Sequence, residues 1–208
     1  MSRYTGPSCR LCRAEGVKLF LKADKCYTDK CPFENKKFPP GQKKRGFRRR
    51  PSDYAIRLRE KQKAKRYYDV QETQFRILYH KASKSRGKTG EVLLQLLERR
   101  LVNVVWLLGF APSRKASRQL INHGHFLVNG KKVDIQSYLV QPGDIISVKE
   151  KSTNLPIIRE GLKTKKEKTV SWLEVNKAQL QGKVISMPTK ESIPVPIEEQ
   201  LIVEFYSR

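Results

Sequence analysis

Acidic residues are scarce in this sequence: 20 Asp and Glu stand against 44 Lys and Arg among 208 residues, a formal net charge of +24. So lopsided a balance repels itself, and a surface charged for solubility alone mixes both signs, so a polyanionic partner is expected. Long apolar runs are missing too. The longest, Val104 to Ala111, contains Gly109 and falls far short of the roughly 18 residues a membrane span needs. Met1 to Pro7 holds no apolar stretch of the secretion-signal kind, which gives the expectation of a soluble intracellular protein. Hydrophobic residues make up 38%, below the roughly 45–50% of an average globular domain, so a core is expected in only part of the chain. His80, His123 and His125 are the only histidines, and none has a cysteine or carboxylate at ligand spacing. No Gly-x-Ser-x-Gly occurs, and no Cys/His pair stands ready for nucleophilic chemistry. Gly87-Lys-Thr89 is a fragment of a phosphate-binding loop, but Ala82 replaces the first glycine and helical periodicity precedes it. Thr89 reads instead as the cap of the next helix. No catalytic residue is assigned.

Cysteine is absent after residue 31, and its four occurrences are concentrated: Cys9-x2-Cys12, thirteen residues, then Cys26-x4-Cys31. Paired thiolates at short internal spacing can converge on one soft metal ion. Zinc is the first choice because it binds four thiolates without redox chemistry; a four-cysteine iron–sulfur cluster uses the same ligands. Four thiolates on a divalent ion leave a net −2, which Arg10, Arg13, Lys25 and Lys30 are placed to offset. Such a closed site would fold a segment that is too poor in apolar residues to fold itself.

Positive charge is densest early, with +11 in residues 1–50 and +6 in 51–97. Residues 1–50 read as coil pinned by the cysteines. The run Lys43-Lys-Arg-Gly-Phe-Arg-Arg-Arg50 then offers Lys43, Lys44, Arg45, Arg48, Arg49 and Arg50 to phosphates, with Phe47 among them. Ser52 can cap a helix to about Tyr68 that sets Arg57, Lys61 and Lys65 along one face. Phe75, Leu78, Tyr79 and Ala82 mark a second helix, and Glu91 to Leu108 a third, apolar on every side. Ser113 can cap a short helix through His123, stopped at Gly124, with Arg114, Arg118 and Asn122 at i, i+4, i+8 and Lys115 and Gln119 beside them. Arg and Asn on a short helix next to a hairpin suit phosphates and base edges. Asn129-Gly130 signals that hairpin, and Pro142-Gly-Asp144 a turn before the strand 145–148. Residues 150–169 read as a surface linker, and 201–206 as a strand.

These residues carry a family likeness. Residues 98–150 resemble the small RNA-binding module named after the fourth protein of the small ribosomal subunit. Arg3-Tyr-Thr-Gly-Pro7, Cys9-Arg-Leu-Cys12, Leu107-Leu-Gly-Phe-Ala111 and Ile197-Glu-Glu-Gln-Leu-Ile-Val-Glu-Phe-Tyr206 extend the resemblance, in order, to the whole bacterial family of that protein. Val102, Trp106 and Leu107 depart from its usual pattern and make that helix more apolar. The resemblance implies an α+β fold: a mostly α-helical domain with a metal-clamped N-terminal segment, and an inserted small α/β RNA-binding module. The segments expected are 1–45, metal-binding and basic; 46–97, helical and rRNA-binding; 98–150, the module; and 151–208, completing the helical domain. It implies binding to the 5′ domain of 16S rRNA early in assembly of the cytoplasmic 30S subunit, beside small-subunit proteins five and three and the mRNA entrance channel, with an influence on decoding accuracy. It implies neither membrane nor small-molecule substrate. The RNA-facing positions that it carries over are Ser113, Arg114, Lys115, Ser117, Arg118, Gln119, Asn122, His123 and Gly124, and the cysteines match the family's zinc-containing branch. An RNA-modifying enzyme borrowing the module is the alternative, weakened by the mere 58 residues after position 150 and by the absence of Gly-Arg-Leu-Asp. A zinc-dependent DNA-binding regulator shares the charge and the cysteines.

Overall fold

Both serines expected to cap helices do so. The Ser52 hydroxyl accepts from the Ala55 amide and that of Ser113 from the Ala116 amide, each at 3.3 Å. They open α3 (Asp53–Tyr67) and α7 (Arg114–Asn122), whose first amides lack partners within the helix. The computed structural model describes residues 4–36, 38–41, 50–164, 170–193 and 196–207. It divides into two compact units, Met1–Leu93 with Val195–Arg208, and Leu94–Pro194. Of the segment 151–208, expected to complete the helical domain, only Val195–Arg208 falls in the first unit.

Every regular element among the first unit's described residues is a helix. Its N-terminal part, expected as coil, contains α1 (Ser8–Glu15), closed by Gly16 in the left-handed region, and the short α2 (Pro32–Asn35) with proline at its first position. After α3 comes α4 (Glu72–Ser83), in which Phe75, Leu78, Tyr79 and Ala82 are buried as their spacing requires. The segment 201–206, expected as a strand, lies instead in a helix, α9 (Glu199–Tyr206). The helix gathers what a strand would separate. Ile202 is buried, Phe205 packs on Tyr54 at 5.7 Å, and Tyr206 stacks on Tyr79 at 4.5 Å and Phe75 at 6.3 Å. A strand here would also find no ladder partner among the unit's described residues.

The apolar stretch expected as one helix from 91 to 108 is two: α5 (Thr89–Glu98) and α6 (Leu101–Leu107). Thr89 is the first helical residue rather than the cap, because the Lys88 carbonyl accepts the first bond, from Val92. Arg100 breaks the run in extended conformation and pairs with Leu139. The 136–140 segment supplies the rest: the Leu101 amide donates to Tyr138 at 2.8 Å, the Val140 amide to Arg99 at 3.0 Å, and Arg99 Nε to the Val140 carbonyl at 2.7 Å. Tertiary backbone bonds thus outweigh the helix propensity of a run with neither Gly nor Pro.

In the second unit the sheet is antiparallel, ordered β2-β1-β3-β5-β4. Its strands are β1 (Phe126–Val128), β2 (Lys131–Lys132), β3 (Ile145–Val148), β4 (Leu173–Asn176) and β5 (Gln181–Val184). Asn129 and Gly130 both have positive φ and pair Val128 with Lys131, the geometry that the two-residue turn demands. Residues 150–169 are not merely linker, since Pro156–Thr164 forms α8 and buries Ile158 in the same core as Val104, Phe126 and Trp172. Gly161 lets α8 approach so closely that a Cβ there would lie 2.8 Å from the backbone of Ala111.

Candidate nucleic-acid interface

The outward surface of α7 and the β1–β2 hairpin carries a group of exposed polar and basic side chains, among them Lys131 and Lys132. Gln119, Asn122 and His123 are exposed, and Ser113, Lys115 and Arg118 are half-buried. Gly124, at φ +74°, closes the helix and leaves room for the Lys132 side chain, which any Cβ would strike. That contact brings the hairpin to the C-terminal end of α7, where free carbonyls favour cations. The His123 and His125 rings lie 6.0 Å apart, and His125 Nδ1 is 2.9 Å from the Ser152 hydroxyl. Burial, then the proximity of His123 and Lys149, depress the His125 pKa. Among the described residues no carboxylate pairs with His123, His125, Lys131, Lys132 or Lys149. Sequence reasoning singled out His123 but missed the other four; for Lys131 and Lys132 the available signal was their place directly after Asn129-Gly130.

Three of the nine carried-over positions point elsewhere. Ser117 and Gly124 are buried, and Arg114 is 3% exposed, its guanidinium 3.8 Å above the Trp106 ring. The sequence face 114–118–122 is therefore not one surface.

The cations of the first unit are differently placed. Arg57 Nε bonds Glu204 at 2.7 Å, and Lys61 and Lys65 hold the two oxygens of Glu72 at 2.7 and 2.9 Å. Lys61 is only 5% exposed and lies 4.6 Å from the centre of the Phe205 ring. Burial alone would raise the Glu72 pKa, but the two lysines outweigh it and hold the carboxyl at about 2. Glu15, buried beneath Arg66 and Arg59, is raised instead, since desolvation exceeds the pull of its two arginines. The three lined-up cations thus tie helices together. Exposed cations of this unit include Arg76, Lys81, Lys84 and Arg86 on and after α4, and Arg10, Lys22, Lys25 and Lys30 among the cysteines. Arg50 is exposed, while Lys43, Lys44, Arg45, Arg48 and Arg49 lie outside the described residues.

At the N-terminus, Cys12, Cys26 and Cys31 are buried and Cys9 is half-buried; none is in a disulfide. The Lys22 amide donates to Cys26 Sγ at 3.3 Å. Burial raises the Cys12 and Cys26 thiols, and Cys9 and Cys31 add to the rise of both. Among the described residues no three His, Cys, Asp or Glu side chains stand at ligating distance as placed.

Comparison with known proteins covers the chain from end to end. Residues 3–98 match the model of the ribosomal protein S4/S9 N-terminal domain, and residues 99–146 that of the S4 domain. The chain is 57% identical over 208 residues to small ribosomal subunit protein uS4 of Thermoanaerobacter sp. (strain X514), covering all of both chains. It is 54% identical over 209 residues, again covering both, to that of Thermus thermophilus, and 54% over 210 to that of Thermodesulfovibrio yellowstonii. No helix among the described residues is long and apolar enough to cross a membrane.

Proposed function

The chain belongs to the uS4 family of small ribosomal subunit proteins, and on that premise we propose that it grips folded 16S rRNA at a junction of helices in the 5′ domain and fixes one arrangement of them early in assembly. It is a structural, non-enzymatic constituent of the cytoplasmic 30S subunit that binds rRNA. The observation that carries this reading is identity above one half along the full length of both chains.

Electrostatics and shape do the work. The outward residues Gln119 and Asn122 of α7 and His123 just after it, with Lys131, Lys132 and Lys149, offer amides and cations to a sugar–phosphate surface. Ser113, Lys115 and Arg118 border that surface. Arg76, Lys81, Lys84 and Arg86, with the run from Lys43 to Arg50, supply a second grip. If about eight phosphates are neutralised, affinity falls by orders of magnitude between low and physiological salt. Small-subunit proteins five and three and the mRNA entrance channel are the neighbours that the family resemblance supports, and through them the chain influences decoding accuracy.

Cys9, Cys12, Cys26 and Cys31 would hold one structural zinc, which supplies charge and cross-linking in a segment of few apolar residues. The donor set supports this: four thiols in one short segment, three of them buried and one already accepting a backbone N–H. Elemental mass spectrometry of the purified chain separates this from the iron–sulfur alternative, one zinc per chain against iron with sulfide.

Reconstitution tests the function. Adding the chain to 16S rRNA and a protein set from which uS4 has been omitted should restore 30S particles and place the chain in them. Particles unchanged by its addition, with the chain left unbound, contradict the reading.

A further inference from the structure

We propose that Arg114 is a positioning residue: it fixes the pose of the RNA-reading helix α7 and touches no phosphate itself. The inference rests on the reading of the α7 surface as an RNA contact and departs from the carry-over that puts Arg114 in it.

Three buried groups form a chain behind the helix. Asn103, 1% exposed, donates through Nδ2 to the Glu98 carboxylate at 2.6 Å and to the Glu98 carbonyl at 3.0 Å. Its Oδ1 accepts from Arg114 Nε at 2.8 Å. The guanidinium is then covered by the indole of Trp106, 3.8 Å away. A carboxylate and a guanidinium, both withdrawn from water, are thus joined through a neutral amide that faces each with the atom it needs. Asn is the residue for that place. Asp would set a second anion against Glu98, and Leu would leave both charges without this link.

The consequence is geometric. Arg114 is the first residue of α7, one after the Ser113 cap, so its bonds anchor the N-terminal end of the helix to α5 and α6. Leu120 and Ile121, buried, hold the other end. With both ends fixed, Arg118, Gln119 and Asn122 are carried on a rigid face, and ligand contacts gain from side chains that need no reordering. Trp106, the departure from the family pattern, is the plate on which the guanidinium rests.

The test uses the full chain and a 16S rRNA 5′-domain transcript. Arg114→Met should speed hydrogen exchange of the α7 amides of Ser117 and His123 by tenfold or more, with smaller change in β1 and β3. It should weaken RNA binding without altering the slope of log affinity against log salt. Arg118→Met should lower that slope by about one contact and leave exchange unchanged. Asn103→Asp should mimic Arg114→Met, and Asn103→Asp with Glu98→Gln should restore most of the protection, because a single carboxylate, the side-chain link between positions 98 and 103 and the bond from Arg114 return, and only the donation to the Glu98 carbonyl is lost. Should Arg114→Met not fold, the Asn103 and Glu98 variants give the same readout. A slope lowered by Arg114→Met as by Arg118→Met, or failure of the double variant to restore α7, overturns the proposal. Full protection effects with no change in RNA binding for either arginine variant would uphold the anchoring and contradict instead the RNA reading of α7.

Discussion

Helices α3 and α7 both look like nucleic-acid contacts when their cations are counted, and the structure uses them differently. All six cations of α3 have a carboxylate partner: Arg57 with Glu204, Lys61 and Lys65 with Glu72, Lys63 with Glu60, Arg59 and Arg66 with Glu15. Those acids come from α1, α4, α9 and α3 itself, so the charge of α3 ties its unit together. On the α7 surface the first arginine is turned inward, but its exposed polar residues and the hairpin lysines meet no acid among the described residues. Density of one sign along a helix therefore does not locate a phosphate contact. Where the opposite sign stands matters as well, and that placement is tertiary.

The contrast can be broken at either end. Glu72→Ala should have the largest effect, because it strands Lys61 in the interior: about 3 kcal/mol, the low end for a broken buried pair since Glu72 itself is half exposed. Calorimetry should show the first unit destabilised and the second unchanged. The same pair gives a pH signature. A carboxyl lowered from 4.5 to about 2 on folding contributes stability that is present above its unfolded pKa and lost as pH falls from about 4.5 toward 2. Glu72→Gln should remove that acid dependence. In the second unit, Gly161→Ala should cost about 2 kcal/mol, because the new methyl meets Ala111 backbone, which cannot swing aside as a side chain would. Chemical denaturation reads it, and an unchanged midpoint would mean that α8 can draw back freely. Ser113→Ala should cost about 1 kcal/mol through the lost cap of α7. Smallest in stability, within about 0.5 kcal/mol, is Lys131→Ala with Lys132→Ala. Yet this pair should lower the salt slope of rRNA affinity by about two contacts, the reverse of what Glu72→Ala does.

Local signals survived best. The caps at Ser52 and Ser113, the periodicity of α4 and the Asn129-Gly130 turn each depend on residues a few positions apart, and each is present as read. What depends on distant chain was not legible. Arg57 meets Glu204 across 147 residues and Tyr206 donates to Glu72 across 134, so neither the inward use of α3 nor the helical state of 199–206 is written locally. The break at Arg100 is imposed by the 136–140 segment. On the α7 surface, the exposure of Gln119 and Asn122 agrees with their spacing and that of His123 with the family resemblance, but the inward turn of Arg114 was not legible, because its partners Asn103 and Trp106 lie on another helix.

The most direct measurement of the central claim is affinity for a 16S rRNA 5′-domain transcript at moderate salt, in competition with scrambled RNA of equal length and with duplex DNA. The account predicts strong preference for the native transcript, retained in slope by Arg114→Met and reduced in slope by the Lys131 and Lys132 double variant. Equal binding to all three nucleic acids would mean that the +24 charge acts as non-specific attraction, and would contradict the account.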